Sequence, residues 1–313
     1  MTLYAMAVTG RFGLGHGLLA WGRSAVWAKK NNATLIAPNW LQLRVGPYLR
    51  RERDKRFYYK LFQSGQQVGG MRRIALLLRA NRLRVEQFAS LPEQDHRARD
   101  TIVEFHNAVG DNEAKYFHEI FGHAQLIHAA LLDMTKGRYR PHSIKQSHIA
   151  VHIRGGDFST AATPSQLLNG GHNLRLPIEW YVEMLQALRN AIGVEVPVIV
   201  YSDCADAEIA SVLQLPNSTR SSNTQSITDM LAMAQATVMI SSGSGFSRWG
   251  SYLGQVPRIC YPGQRGVRVI GPLSDIIECE PEVLRGQYLP NQFIEAVAQR
   301  FSADKNTVKK VKD

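Results

Sequence analysis

Short apolar runs alternate with longer helical patterns along this chain, and this alternation is the feature that most constrains its fold. Leu3–Thr9 and Ala33–Ala37 have the composition of strands, and His16–Lys30 between them carries apolar residues at helical spacing. Further strand-like runs follow in the second half of the chain, at Ile149–Ile153, Pro197–Tyr201, Thr237–Ser241 and Arg258–Tyr261. Strands that alternate with helices favour parallel sheets covered by helices. The sequence therefore predicts an α/β protein.

A polar stretch over residues 136–147 separates two such alternations in a chain of 313 residues. Before this stretch, helical patterns cover residues 71–88 and 113–134. After it, Pro177 opens a helix at a favourable first-turn position, and shorter helices cover 227–235 and 246–253. We therefore expect two Rossmann-like, doubly wound domains that face a crevice, over 1–145 and 146–313, with the C-terminal helix packing back on the first.

The cysteines and the apolar runs indicate a cytoplasmic protein. Cys204, Cys260 and Cys279 each lie in or beside an apolar run and lack Cys-x-x-Cys spacing, which favours buried free thiols over disulfides or zinc ligands. The N-terminus lacks a basic segment followed by an apolar core, and no window approaches the length of an apolar span. We therefore expect neither an export signal nor a spanning helix.

Most of the formal net charge of +11 lies between Arg44 and Arg84. This segment holds twelve Lys and Arg residues against Glu52 and Asp54, a net charge of +10. Three explanations stay open: a solvated helix face, an anionic membrane surface or phosphate-bearing lipid, and nucleic acid. Aromatic and leucine side chains alternate with the bases, which is typical of segments at a membrane interface. A possible partner is therefore the anionic inner face of a membrane, and nucleic acid is not expected.

The turn that follows Ile149–Ile153 is the clearest candidate for chemistry. Arg154, Gly155, Gly156 and Asp157 come directly after this apolar strand. A guanidinium donates two parallel charge-assisted bonds to a phosphate, and glycines let backbone N–H groups approach the same anion. The pattern therefore predicts an anion site, and the alternative is a strand-end turn with an ordinary salt bridge.

Two other predicted strands end in polar residues that would face the same crevice, because ligands of such sheets bind beyond the carboxyl ends of the strands. Asp203 could bind a ribose, hold Arg154 or cap the next helix. Ser244-Gly245-Phe246-Ser247 precedes a helix, so its N–H groups and hydroxyls could cradle a diphosphate, or Ser244 could simply cap that helix. Residues 159–176, rich in Gly, Ser, Thr and Asn, predict a loop that closes over a ligand.

Four blocks of this sequence are similar, in order, to motifs of GDP-fucose-dependent fucosyltransferases, nearest to the bacterial α-1,2 enzymes of glycosyltransferase family eleven. His152-x-Arg154-x-Gly156-Asp157 followed by an aromatic residue resembles their His-x-Arg-Arg-Gly-Asp-Tyr signature. The other three blocks are similar to a glycine-rich loop, a Phe-Ser-Asp strand end and an Asn-Ser-Ser-Phe-Ser-Trp-Trp-Gly run, and they lie at Gly10–Leu18, Val200–Asp203 and Ser241–Gly250.

This resemblance implies a GT-B type glycosyltransferase with an acceptor-side first domain and a nucleotide-sugar (donor) second domain. The implied reaction is inverting transfer of fucose from GDP-fucose to a glycan or lipid-linked oligosaccharide, with the GDP-sugar as substrate and no cofactor. Many such enzymes hold a metal with Asp-x-Asp, and this sequence contains no Asp-x-Asp, so we expect no metal. Arg154 would stabilise the departing diphosphate.

The resemblance also implies donor contacts outside the turn. Gly13 and Gly15 belong to the glycine loop, His152 contacts the nucleotide, and Asp229 accepts the two N–H groups of guanine. The structural alternatives are a core histidine at His152 and a helix cap at Asp229. The general base for the acceptor hydroxyl is open between His16, whose ordinary pKa suits the role, and Asp157.

The sequence departs from the family pattern at three positions, and this leaves rival functions open. Gly155 stands at the place of the second arginine, Gly15 or His16 at the place of the loop Asn, and Arg248 at the place of the first Trp. One rival is therefore a transferase of the same fold with another nucleotide-sugar donor. The other is a protein that binds nucleic acid or an anionic surface through its basic segment. The sequence disfavours a dinucleotide enzyme, because the glycines lack Gly-x-Gly-x-x-Gly spacing and no acidic residue near position 36 ends the second strand.

Overall fold

The computed structural model describes residues 2–10, 13–40, 58–85, 99–106, 113–193, 196–272, 274–281 and 289–310. The chain divides into two compact units, Met1–Arg140 and Pro141–Asp313. Within the described ranges, none of the helices combines the length and the apolar character needed to cross a membrane. Residues 44–57 of the basic segment, and positions 11 and 12 of the glycine loop, lie outside the described residues.

Unit 1 is a parallel sheet with helices. Its strands are β1 (Leu3–Val8), β2 (Thr34–Ile36), β3 (Asn81–Val85) and β4 (Thr101–His106). They lie in the order β2-β1-β4-β3, and every neighbouring pair is parallel. Its helices are α1 (Leu14–Lys30), α2 (Gly70–Arg79), α3 (Glu113–Ile120) and α4 (Ala124–Met134).

Two helix predictions in unit 1 were wrong in part. The helix expected over 71–88 ends at Arg79, and residues 81–85 form the edge strand β3 instead. Side-chain exposure alternates along this segment, as it does in a strand: Arg82 and Arg84 are exposed, and Leu83 and Val85 are half-buried. The helix expected over 113–134 is interrupted at Gly122, whose φ of +75° no right-handed helix accommodates.

Within its described residues, unit 2 contains six parallel strands in one sheet and a separate strand pair. The sheet strands are β5 (Ile149–Ile153), β8 (Val198–Ser202), β9 (Ser218–Arg220), β10 (Val238–Ser241), β11 (Arg258–Cys260) and β12 (Glu278–Cys279), and the pair is β6 (Ser159–Thr160) with β7 (Leu174–Arg175). The helices are α5 (Pro164–Leu168), α6 (Ile178–Ile192), α7 (Ala210–Leu213), α8 (Ser226–Met233), α9 (Gly245–Gly254), α10 (Ser274–Ile277) and α11 (Asn291–Lys310).

Unit 2 has a core on each face of its sheet, because successive side chains of a strand point to opposite faces. Ile149, Val151 and Ile153 of β5 pack with buried residues of α6 and α11 in one cluster. Ala150 packs on the other side with residues of α8, including Met233. Helices therefore cover both faces of a parallel sheet, and the predicted α/β class with doubly wound sheets is confirmed.

The strand order of unit 2 identifies where a ligand would bind. The order is β12-β11-β10-β5-β8-β9, so the chain winds from β5 toward β9 and then returns to β10 on the other side of β5. This is the 3-2-1-4-5-6 order of mononucleotide-binding halves. The direction of winding reverses between β5 and β10, and the carboxyl ends of these two strands form the crevice in which such sheets bind ligands.

The expected closing loop over 159–176 contains regular structure. Strands β6 and β7 pair in parallel, and α5 lies between them along the chain. The side-chain amide of Gln264 donates a hydrogen bond of 2.6 Å to the carbonyl of Leu167. A composition rich in turn-forming residues predicted a loop, but this contact and the strand pairing hold the segment against the loop after β11.

Candidate functional site

Polar residues gather at the carboxyl ends of β5, β8 and β10. Arg154 directly follows β5, Asp203 directly follows β8, and Ser242 to Ser244 follow β10. Strand β5 pairs with both others, with His152 opposite Ser241 on one side and Tyr201 on the other. The structure therefore brings these three strand ends to one edge of unit 2, at the reversal point of the sheet.

Arg154 is clamped by two carboxylates. Its two terminal nitrogens lie 2.6 Å from Asp203 Oδ2 and 2.6 Å from Asp157 Oδ1. Its guanidinium also lies 5.5 Å from the centre of the Phe158 ring. Asp203 is held a second time, because its Oδ1 accepts a bond of 2.7 Å from the amide of Gly155. Asp203 therefore connects Arg154 to the backbone of the turn after β5.

Two glycines let Asp203 and its neighbour approach the turn after β5. A Cβ at Gly155 would overlap the sulfur of Cys204, and a Cβ at Gly156 would overlap Asp203 Oδ2. Gly156 also has a φ of +24°, which side chains of L-residues rarely accept. The turn is therefore closed to the side chain that the family pattern has at position 155.

A second guanidinium, from Arg175, stands beside this turn. Its Nε donates to the carbonyl of Phe158 at 2.9 Å, and one terminal nitrogen donates to Glu208 at 3.0 Å. Its Cζ lies 3.7 Å from the position that a Cβ of residue 155 would occupy. The sequence interpretation missed Arg175, although it is the single Lys or Arg between Ser159 and Leu176. It occupies the neighbourhood that the second family arginine would otherwise reach.

Arginines and carboxylates at this edge nearly balance. Within the described residues the group carries three positive and four negative side chains, a net charge of −1: Arg154, Arg175, Arg220, Asp157, Asp203, Asp206 and Glu208. The bond from the amide of Ala205, followed by Arg175, lowers the pKa of Glu208. In the same described part of the chain, no three His, Cys, Asp or Glu side chains are grouped to hold a metal ion.

His152 connects β5 to the loop after β10. Its Nδ1 lies 2.7 Å from Ser242 Oγ, and the amide of Ser242 donates to the carbonyl of His152 at 3.1 Å. Burial, and then the charge of Arg154, lower the pKa of His152 to about 3. The imidazole is therefore neutral near physiological pH, and one of its nitrogens is used inside the protein.

The start of α9 uses its hydroxyls to fix the helix. Ser244 caps α9, because its Oγ accepts a bond of 3.2 Å from the amide of Phe246. Ser247 is fully buried, and its single O–H is shared between the carbonyl oxygens of Ser242 and Ser244, each 3.0 Å from its Oγ. The first-turn amides of Gly245 and Ser247 have no acceptor within the helix. Anion binding at this end would therefore fall to backbone N–H groups and the helix dipole.

Asp229 lies in the first turn of α8, beside a buried phenol. Its Oδ1 accepts bonds from Ser221 Oγ at 2.8 Å and from Asn223 Nδ2 at 3.0 Å. Burial and the nearby charge of Asp229 raise the pKa of Tyr201 above its usual range, and the Tyr201 hydroxyl has no hydrogen-bond partner among the described residues. Phe246 packs on the cluster that contains Tyr201. The helices that carry Asp229 and Phe246, α8 and α9, contact each other.

The other predicted site residues lie in unit 1, at the start of α1. Gly13 is the N-cap of α1 with an ordinary φ of −62°, and a Cβ there would meet nothing within 4 Å. Gly15 and His16 occupy the first turn, where His16 is exposed. The amide of Leu14 donates to the hydroxyl of Tyr58 at 3.2 Å. Glycine is therefore not sterically required at position 13.

Comparisons with known proteins give only distant likenesses. No family model matches the sequence, and no curated protein matches it. Among solved structures, POFUT1 in complex with GDP is 14% identical, with 83% of this chain and 98% of that chain covered and a TM-score of 0.42. Fucosyltransferase NodZ from Bradyrhizobium is 15% identical, with coverages of 83% and 95% and a TM-score of 0.42. A mutant of Arabidopsis thaliana FUT1 in complex with GDP is 9% identical, with coverages of 83% and 71% and a TM-score of 0.46. At these scores the likenesses do not establish a common activity.

Proposed function

We propose that this chain is an inverting, metal-independent glycosyltransferase that moves fucose from GDP-fucose to a glycan or lipid-linked oligosaccharide. The single observation that carries the proposal is the position of the Arg154–Asp157 turn, which directly follows β5, the strand at which the winding of the sheet reverses. A nucleotide bound there would meet the start of α9 as well as Arg154. The four blocks that resemble fucosyltransferase motifs supply the donor class.

The diphosphate would bind by exchange of partners at Arg154. In the free protein the Arg154 fork is occupied by Asp157 and Asp203. The diphosphate of a GDP-sugar carries two negative charges against the single charge of a carboxylate, so it would replace Asp157 while Asp203 keeps the guanidinium in place. Amides at the start of α9 and the guanidinium of Arg175 would share the remaining charge. As the glycosidic bond breaks, these donors would stabilise GDP as the leaving group.

Guanine recognition would fall to Asp229. A carboxylate accepts both the N1–H and the N2–H of guanine, a pairing that adenine and the pyrimidines do not offer. Ser221 and Asn223 hold Asp229 in one orientation, which lowers the entropy cost of ordering it on binding. The aromatic ring of Phe246 would border the base.

The acceptor hydroxyl must lose its proton as it attacks the anomeric carbon. Asp157 is one base for this step, because displacement from Arg154 would leave its carboxylate in the site without its guanidinium partner. His16, exposed in the first turn of α1, is the other. In either case the new C–O bond forms on the face opposite the departing GDP, the base takes the hydroxyl proton, and the anomeric configuration inverts.

A second candidate is a transferase of this fold with another nucleotide-sugar donor. One observation favours it: Cys204 closes the position at which the family carries its second arginine. If Arg175 does not substitute for that arginine, the pocket would suit a different sugar or base. This other donor would still bind at the same edge of unit 2 and contact Arg154.

A nucleotide screen tests the proposal. Thermal unfolding is followed with GDP, ADP, UDP, CDP and a short oligonucleotide, and then GDP-fucose is offered with labelled oligosaccharides for product analysis. The proposal expects the melting temperature to rise with GDP alone, because bound ligand stabilises the folded state. A rise with UDP or another nucleotide instead favours the second candidate. A rise with the oligonucleotide only would exclude both transferase proposals.

A further inference from the structure

Helix α2 carries an apolar stripe that faces away from the core of unit 1. Met71, Ile74, Ala75 and Leu78 are all exposed, and their spacing of three, four and seven residues puts them on one face of a helix. Met71 is 78% exposed and Leu78 is 80% exposed. The opposite face is anchored, because Leu76 is buried with β1 and β4 residues. This stripe is named the α2 stripe below.

The chain segment that carries the α2 stripe is rich in basic residues. Residues 58–85 contain six Lys and Arg and no Asp or Glu. Arg72 and Arg79 are exposed on α2 itself, and Arg84 is exposed on the neighbouring edge strand β3. Arg73 instead points inward, where its Nε donates to the carbonyl of Ala37 at 3.0 Å. Two arginines therefore lie along one edge of an exposed apolar ridge on a helix of ten residues.

We propose that the α2 stripe is a docking surface for an anionic lipid membrane, with α2 lying in the plane of the interface. Met71, Ile74 and Leu78 would enter the boundary between headgroups and acyl chains, and Arg72 and Arg79 would contact lipid phosphates. A helix of this length covers about 15 Å, which suits a helix that lies on a bilayer rather than crosses it. This proposal does not depend on the identity of the transferred sugar.

Charge decides between a membrane and a second copy of the chain. Two copies that met through the α2 stripe would bring the exposed Arg72 and Arg79 of one copy close to those of the other. Like charges at close range oppose such a contact. An anionic bilayer offers both the opposite charge and an apolar layer at the depth of one helix. The observations therefore favour lipid as the occupant.

Co-sedimentation of the full chain with vesicles tests this surface. Vesicles of phosphatidylcholine are compared with vesicles that also contain phosphatidylglycerol, at low and high salt. Leu78→Gln should weaken binding to the anionic vesicles about tenfold, since it removes one inserted side chain. Arg72→Gln with Arg79→Gln should weaken it about 25-fold, about fivefold for each charge, with the loss smaller at high salt.

Matched variants control for general changes of charge and polarity. Lys29→Gln with Lys30→Gln removes two exposed charges from the end of α1, and Ile276→Gln changes an exposed apolar residue of α10. Both should bind vesicles like the wild type. Every variant should melt within about 2 °C of the wild type, since surface substitutions change stability little. The melting shift with GDP should be the same in all of them.

A fluorescent probe separates insertion from surface attraction. The three native cysteines are buried, so Leu78→Cys and Lys30→Cys each offer one accessible thiol for an environment-sensitive dye. The dye at position 78 should shift to the blue with anionic vesicles, and the dye at position 30 should not. The proposal is overturned if the wild type never pellets, if Leu78→Gln pellets like the wild type, or if the dye at 78 does not shift. It is equally overturned if sedimentation shows a dimer that Leu78→Gln dissociates, because a second copy then covers the stripe.

Discussion

The contact between Gly155 and Cys204 gives the sharpest structural prediction. Gly155→Ala places a methyl group where the sulfur of Cys204 already lies. The backbone does not oppose alanine, since Gly155 is not among the residues with positive φ. Any cost therefore comes from overpacking, which is worth about 1 to 3 kcal/mol in a closely packed site.

Removal of the sulfur should remove that cost. In Cys204→Ala the nearest remaining atoms to the new methyl group are the Cβ of residue 204 at 3.6 Å and Arg175 Cζ at 3.7 Å, both ordinary contacts. Cys204→Ala alone should cost about 1 kcal/mol for the lost packing of a buried sulfur. The double variant should therefore be about as stable as Cys204→Ala, with a coupling of about 1 to 3 kcal/mol between the two positions.

Thermal unfolding of the four proteins measures this coupling. Gly155→Ala should lower the melting temperature by roughly 4 to 8 °C, for a loss of about 2 kcal/mol in a domain of this size. In the Cys204→Ala background the same change should shift it by about 1 °C or less. An equal loss in both backgrounds would mean that the sulfur does not close position 155, and the explanation for the missing second arginine would fail.

Three further predictions concern the charges at the same edge. Asp157→Asn should tighten GDP binding about threefold, because it removes a competitor for Arg154. Asp203→Asn should weaken GDP binding, because Arg154 loses the carboxylate that holds it in place. If calorimetry finds the opposite order of affinities, the diphosphate does not replace Asp157 at Arg154. His152, with a folded pKa near 3 against an ordinary 6.5, stays neutral when folded but takes a proton when unfolded. The protein should therefore lose stability as pH falls below about 6.5, by up to about 1.4 kcal/mol per unit, and His152→Asn should flatten this dependence in urea titrations. Fucosyl transfer should persist in excess chelator, and loss with rescue by magnesium or manganese would contradict metal independence.

Strands β5, β8, β10 and β11 of unit 2 could be predicted because their signal is local, whereas the short strands β6, β7, β9 and β12 were not predicted. Ile149–Ile153 is a continuous apolar, β-rich run of the kind that a central parallel strand requires, and the structure has a strand with these bounds. In unit 1, β3 contains Arg82 and Arg84 and has no continuous apolar run. The helix predicted from the preceding residues was therefore extended over this strand. Strand β4, Thr101–His106, was not predicted, although Ile102, Val103 and Phe105 are fully buried in it. Apolar and polar residues alternate in this strand, but over too few residues to indicate a strand clearly.

The site was predictable only as far as strand ends determine it. Asp203 as a partner of Arg154 was one of three open alternatives, and the cap at Ser244 was one of two, because a sequence does not say which nearby group a side chain meets. Arg175 reaches the turn only because residues 159–176 fold into β6, α5 and β7 and place β7 beside Phe158. No local pattern encodes that long-range contact. The same holds for the contact between Gly155 and the sulfur of Cys204.

The most direct test of the proposed donor site is a calorimetric titration of GDP into the wild type, Arg154→Ala and Arg268→Ala. Arg268 is a matched control, because it is an exposed arginine of unit 2 paired with Asp275 at the surface. A charge-assisted contact to the diphosphate is worth about 1.5 to 3 kcal/mol, so Arg154→Ala should bind GDP at least tenfold more weakly at an unchanged melting temperature. Arg268→Ala should bind it like the wild type. Equal GDP affinity in all three proteins, or no binding by the wild type, would contradict a nucleotide site at the end of β5.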